Sequence, residues 1–411
     1  MKTKIFTLKL MLAGMAVCAL SCKKGATIGA QPDGIADGKF TNITSKFSVA
    51  DHVIETGMTL TQINAVIAGA SAGQTVYVQP GTYTITGKIV MKAGVKIVKQ
   101  TTTNPIFDAT GLSNILTLSY STELNNCMFS GITFWNIRMV VTGATSTWVK
   151  YCIFDYAKRA ASTNKTNNLK DDYVEFLSTD SSLVSNCVFS HRSTDPGRGV
   201  WVKSTTNAKI LNNTFGNGST TGYFVCGIND NSQTNSLIDN NVLNRNTALN
   251  SVDSLTDHGI YAHSFNGLTI TNNTISGWPA TGSGGAVKVR NGQNATISTN
   301  TMNGSGVLLY EYDNIPAFPY LKYVVVSGNN INMSATGNDA YHGIGYYRDN
   351  TTDMEYSILI QNNLIPNGTI WINGANLSTA NFNASGGGVY NNDTASGNLY
   401  LKSGIANSGN Y

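Results

Sequence analysis

The stretches Asn212-Asn213-Thr214-Phe215, Asn240-Asn241-Val242-Leu243 and Asn272-Asn273-Thr274-Ile275 repeat one pattern, an Asn held two residues before a large apolar side chain. Thr299-Asn300-Thr301-Met302 repeats it again, and Asn329 and Asn363 extend it toward the C-terminus. Toward the N-terminus Cys takes the place of Asn, in Asn126-Cys127-Met128-Phe129, Tyr151-Cys152-Ile153-Phe154 and Asn186-Cys187-Val188-Phe189. Successive intervals run from 25 to 35 residues. A period of that size, with alternating apolar residues and polar turns, signals strand coils stacked into a solenoid. The predicted fold is all-β, a single-stranded right-handed parallel β-helix. Coils stack about 4.8 Å apart, so one position per coil forms an interior ladder. An Asn there can hydrogen-bond the equivalent residue above and below, and a Cys there is a small buried residue. The cysteines, Cys226 included, are therefore read as core thiols rather than a disulfide framework or a metal site.

Composition agrees. Charged residues make up 12% of the 411, half the usual 25% or so, while Asn, at 48, is about 12%. This excludes a coiled coil, and 41% hydrophobic residues exclude disorder. A net charge of +4 permits an acidic partner without requiring one.

Lys2, Lys4 and Lys9 precede an apolar run from Leu10 to Leu20 and then Ser21-Cys22. Residues 1–21 read as a signal peptide, Cys22 as a lipidated first residue, 22–50 as a small-residue tether and 51–411 as one β-helix domain. The expected location is outside the cytoplasm of a Gram-negative bacterium, lipid-anchored to the outer membrane or periplasmic, with a monomer expected. Leu60, Ile63, Val66 and Ile67 fall at helical spacing within Thr59–Ala70, which predicts a short helix capping the first coil. After Asn363 the repeat fades from view.

Counting back from each ladder Asn sets the facing of the preceding strand. Val200 and Val202, Ile228, Ile260 and Ala262, and Val287 and Val289 face in. Trp201, Asn229, Tyr261 and Lys288 lie twelve residues before their ladder positions, and Lys203, Asn231, His263 and Arg290 lie ten before. Four adjacent coils thus present two outward columns of cations, amides and aromatics. A solvated face needs polar residues anyway, but it does not need Trp201 and Tyr261 beside a histidine and cations. Tyr310, Glu311, Tyr312 and Asp313, and then Tyr346, Tyr347 and Arg348, are read as further outward clusters along this face. An insertion at 158–172 adds Lys158, Arg159, Lys165 and Lys170. Aromatics and cations along an elongated groove suit an acidic sugar chain; nucleic acid fits the charges but not an exported location.

Gly285-Ala286-Val287-Lys288-Val289-Arg290-Asn291-Gly292, followed by Asn300-Thr301-Met302-Asn303-Gly304, resembles the arginine segment of polysaccharide lyase family six, the alginate lyase and chondroitinase B group. His263-Ser264 with Asn273-Thr274 resembles that family's Lys-Ser segment, and Ser236 to Asn241 is also similar. The resemblance spans about residues 185–305. It implies a parallel β-helix, β-elimination on a uronate polymer such as alginate, and a catalytic role for Arg290. His263 stands where the family has its lysine. The family's two calcium-binding glutamates are matched by Thr256 and His258, so no cofactor is expected; calcium is implied by the resemblance alone, with Asp253, Asp257 and Asn229 nearby.

The chemistry of such a reaction needs a base for the C5 proton, a cation for the carboxylate and an acid for the leaving C4 oxygen. His263 is the expected base, acting as pH rises through about 6.5. Arg290 or Lys288 would hold the carboxylate, and Tyr261, Tyr310 or Lys203 would supply the proton. Trp201, Lys203, Asn229, Asn231, Tyr310, Glu311, Tyr312 and Arg348 are the expected substrate contacts. Two other classes stay open: a β-helix glycoside hydrolase, which needs paired carboxylates such as Glu311 or Asp257, and a non-catalytic glycan-binding lipoprotein.

Overall fold

The structure is a computed structural model that describes residues 52–156, 172–192, 197–247, 258–280, 285–312, 318–333, 343–349, 355–394 and 398–411. The signal peptide, Cys22 and the tether lie outside these residues, as do Lys158, Arg159, Lys165, Lys170, Asp253, Thr256, Asp257 and Asp313.

The described strands pair in parallel, each with its equivalent one coil away, along three faces. The first carries Asp172–Leu177, Gly197–Lys203, Phe224–Asn231 and Val307–Glu311. The second carries Leu183–Ser185, Lys209–Leu211, Thr234–Asp239 and Leu321–Ser327. The third carries Ile153–Tyr156, Val188–His191, Thr214–Phe215 and Val242–Asn244. His258–Thr271 and Gly285–Ser298, each 14 residues, run through the corner between the first two faces and join them into one sheet. This is a parallel β-helix. Its first coil is covered by the helix Leu60–Gly69, which opens on a capping box between Thr59 and Gln62 and buries Ile63 and Ile67. Alternate strand side chains point inward, and on the third face this stacks Phe134, Phe154, Phe189 and Phe215 with ring centroids 5.0, 5.2 and 4.6 Å apart.

The ladder stands at the corner between the second and third faces. Asn213 donates its backbone N–H and its Nδ2 to Oδ1 of Asn241, both at 2.9 Å. Asn241 repeats this to Asn273, Asn273 to Asn300, Asn300 to Asn329, and Asn329 to Asn363. The remaining Nδ2 hydrogen reaches a backbone carbonyl, such as Ile238 O from Asn273 at 3.0 Å. Every amide atom is therefore satisfied although the side chains are buried. The residue before each ladder position has positive φ, for example 58° at Asn212, 53° at Asn240 and 56° at Asn272. Asn tolerates that left-handed turn better than most residues. The doubled Asn thus divides its work: the first turns the chain and the second stacks.

Two expectations need correction. Cys152 and Cys187 do precede Asn213 in the ladder, and Cys187 donates its N–H to Asn213 Oδ1. Cys127 does not: Met128 pairs with Trp148 and Thr133 with Ile153, so Ile132 lies opposite Cys152. Cys127 sits one corner earlier, with Sγ 3.3 Å from Lys92 O. A Cys before an apolar-Phe pair fits either face, and one short coil shifted the count. At the other end the repeat does not fade. Asn363 bonds Asn392, and Asn392 bonds Asn410, each after a positive-φ residue, Asn391 and Gly409.

One core residue is out of character. Asp230 points inward between Asn229 and Asn231, is fully buried and is in register with Val202 and Ala262. Burial pushes its carboxyl pKa from 3.8 up to about 7, with Ser236 drawing it down.

Replacing Asn273 with Leu removes the acceptor of both Asn241 donors and strands buried partners on both sides. The expected loss is about 1–3 kcal/mol, read as a lower unfolding midpoint in denaturant. Asp230 makes stability pH-dependent. Folding takes up a proton there between the unfolded pKa, 3.8, and the folded one, about 7, so this contribution is intact below about pH 4 and lost as pH rises to 7. Asp230→Asn should remove that slope and leave the variant more stable than the native protein at pH 8. An unchanged slope in the variant would place the linkage elsewhere.

Candidate functional site

Both outward columns form as the spacing implies. Trp201, Asn229, Tyr261 and Lys288 are paired coil to coil, as are Lys203, Asn231, His263 and Arg290. The inward residues between them, Val200, Val202, Ile228, Ile260, Ala262, Val287 and Val289, are buried core. The columns continue to Leu308 and Tyr310, then to Gly345 and Tyr347. In the other direction they reach Glu175 and Leu177.

Hydrogen bonds fix the middle of this face. The Asn231 amide is satisfied with its oxygen accepting from Trp201 Nε1 at 3.2 Å and its nitrogen donating to Asn229 Oδ1 at 2.6 Å, while His263 Nε2 lies within hydrogen-bond distance of the same amide. His263 Nδ1 lies 3.0 Å from Ser264 Oγ. Both ring nitrogens are thus engaged. Burial, then Arg290, then Lys203, lower the histidine pKa to about 4. The imidazole is neutral at pH 7, as expected, and its affinity for a proton is low. It stands between Asn231 and Arg290 in the column.

The titrating group near neutral pH is Lys288. Burial, and then the adjacent Arg290 charge, lower its pKa to about 8. Its Nζ lies 4.6 Å from the Tyr310 ring centre and 5.9 Å from that of Tyr261. Arg290 Nη1 donates to Tyr261 Oη at 3.3 Å, and its guanidinium lies 4.6 Å from the Tyr312 ring. Burial raises the Tyr261 phenol pKa, against the opposing pull of Arg290. Tyr310 stacks on Tyr347 at 5.2 Å and on Tyr312 at 5.9 Å, which walls the groove beyond Arg290. Lys203 is exposed beside Trp201, 5.7 Å from its ring.

Glu311 and Arg348 are not groove residues. Tyr310 faces out, so its neighbour Glu311 faces in, and the same alternation buries Tyr346 and Arg348 while exposing Tyr347. Tyr346 Oη donates to Glu311 at 2.6 Å, and Arg348 Nη1 donates to Glu355 at 2.6 Å. Burial pushes the Glu311 pKa up to about 7. This network ties successive coils together.

Sequence reasoning missed two ion pairs at the opposite end. Arg138 pairs with Glu175 at 2.7 Å, and Arg198 with Asp172 at 2.6 Å, with the Arg198 guanidinium 4.2 Å from the Trp201 ring centre. The count that located Trp201 places Glu175 twelve residues before Cys187, so the signal was present.

Asp253 and Asp257, the carboxylates near the family's calcium position, lie outside the described residues. Hard cations seek carboxylate oxygens. Asn229 instead neighbours the Asn231 amide and Tyr261, and His258, at one of the glutamate-matching positions, is buried with its ring 5.1 Å from that of Tyr261. No cluster of three or more His, Cys, Asp or Glu suited to a metal occurs among the described residues.

No protein-family model matches the chain, and no curated protein matches it either. Solved structures do. The surface adhesin PfbA of Streptococcus pneumoniae aligns with 84% of this chain and 88% of its own at 12% identity and a TM-score of 0.52. The alginate lyase AlyF-OU02, solved with G6, aligns with 89% of this chain and 85% of its own at 13% identity and a TM-score of 0.50. At such identities the likeness is one of fold, and it agrees with the parallel β-helix described above.

Proposed function

We propose that this chain is an exported polysaccharide lyase that cleaves a uronic-acid-containing polysaccharide by β-elimination. The observation that supports it most is the cluster of Lys288, Arg290 and Tyr261 on one outward face: an amine that titrates near neutrality, a permanent cation and a phenol. Arg290 pairs with the C5 carboxylate and stabilises the charge that develops as the proton leaves. Neutral Lys288 takes the C5 proton, the electron pair forms the C4–C5 double bond, and the C4–oxygen bond breaks. Tyr261 protonates the leaving oxygen, and the proton on Lys288 later restores the phenol. Trp201 and Tyr347 hold flanking sugars. A hydrolase needs two free carboxyls on the face; among the described residues of the two columns the carboxyl is Glu175, held by Arg138.

Arg290→Ala and Lys288→Ala should each lower turnover by about 100-fold or more, measured as ultraviolet absorbance of the unsaturated product. Because the base must be deprotonated, activity should rise with pH through about 8, the Lys288 value, rather than through the histidine range. An alkaline limb that survives in Lys288→Ala would remove the lysine from this role, and binding without product would favour a scaffold.

We also propose the lipid anchor at Cys22. Cys22→Ala should move the protein from the membrane fraction to the soluble fraction; unchanged fractionation would refute the anchor.

A further inference from the structure

Among the described residues of the two columns the charge is concentrated rather than spread, and that bears on which uronate polymer fits. A glycan laid along the two columns crosses coils about 4.8 Å apart, close to the length of one pyranose unit. Each coil then meets roughly one sugar. The coil of Lys288 and Arg290 offers two cations side by side. The coil before it offers Tyr261 and His263, the latter neutral at pH 7 with a pKa of about 4. The coil before that offers the amides Asn229 and Asn231. Beyond Arg290 stand Leu308 and Tyr310, then Gly345 and Tyr347. At the far end, past Trp201 and Lys203, the column carries the carboxyl of Glu175, already paired with Arg138.

Resting on the lyase reading above, we propose that the substrate is a non-sulfated heteropolysaccharide in which a single uronate is flanked by neutral sugars, not a homopolymer of uronates. Three considerations support this. A homopolyuronate would put a carboxylate over every coil, including those lined by amides, rings, a leucine and a glycine. Desolvating a carboxylate there without a cation is costly. It would also bring a carboxylate over the Glu175–Arg138 ion pair, whose cation is already engaged by Glu175. The neutral positions instead carry what neutral sugars use, the rings of Trp201 and Tyr347 for pyranose faces. Lys203 adds a second, isolated cationic position three coils from Arg290. This allows a second acidic unit only at that separation. Sulfate groups would call for more cations than the columns provide.

The experiment compares the purified full-length protein on three polymer sets: homopolymers of mannuronate, guluronate or galacturonate; non-sulfated heteropolymers with glucuronate spaced by neutral hexoses; and sulfated glycosaminoglycans. Unsaturated product is read by absorbance, and retardation in affinity gels is read in parallel. The expected result is a kcat/KM at least tenfold higher on a spaced-uronate heteropolymer than on any homopolyuronate, with the same order in gel retardation. Equal or faster cleavage of a homopolyuronate overturns this substrate assignment and leaves the lyase reading standing. If no polymer gives unsaturated product, the lyase reading falls. The retardation order still decides the groove's preference: stronger binding of homopolyuronates overturns it, and stronger binding of the spaced heteropolymers supports it.

Discussion

The vertical hydrogen bonding between coils is the constraint from which the rest follows. Parallel strands alone would let one coil slide over another, and a one-residue slip would turn every side chain to the opposite face. The amide at the turn prevents this. Asn273 Oδ1 receives both the backbone N–H and the side-chain Nδ2 of Asn241, and such a two-pronged contact exists at one register only. Outward positions several residues upstream are then fixed as well. Trp201, Asn229, Tyr261 and Lys288 form a column because their coils are locked at the turn, not because those side chains attract one another.

On that fixed lattice, electrostatics separates groups that would otherwise be alike. Arg290 remains charged at all relevant pH values, and its neighbours must adjust to it. His263 becomes a weak base and Lys288 a moderate one, each through burial first and the guanidinium second. The side chain that most resembles a general base in the sequence is therefore the one that holds a proton less tightly. Interior acids show the converse. Asp230 and Glu311 are pushed toward neutrality by the same loss of water that depresses the bases.

Much of this was legible in the residues. Where a strand and its ladder Asn are joined without insertion, counting back locates outward residues correctly, as it does for Lys203, Asn231, His263 and Arg290. Past Tyr310 the interval to the next ladder Asn is longer than ten residues, the count no longer transfers, and Glu311 and Arg348 were assigned outward. Strict alternation from Tyr310 and Tyr347 would have buried both. Cys127 misled because two faces share an apolar-Phe signature. The pKa order of Lys288 and His263 was out of reach, since it depends on how deeply each side chain is covered. Asp230 went unnoticed because a carboxyl within an apolar alternation reads locally as a surface residue.

The amide ladder also has a direction. From amide to amide, each Asn donates toward the coil that follows it in sequence and accepts from the coil that precedes it, while its other Nδ2 hydrogen reaches back to a carbonyl of the preceding coil. A growing chain that has completed one coil therefore holds unused donors facing the part not yet made, and the next Asn supplies the carbonyl they lack. In the language of linear polymers, the molecule is a one-dimensional lattice with nearest-neighbour coupling and unlike ends. Extension at the C-terminal end is templated by the last coil formed, while the N-terminal end is closed by a helix. Such a lattice loses structure by fraying, so its cooperativity has a finite length, set by how strongly one amide pair couples a coil to the next.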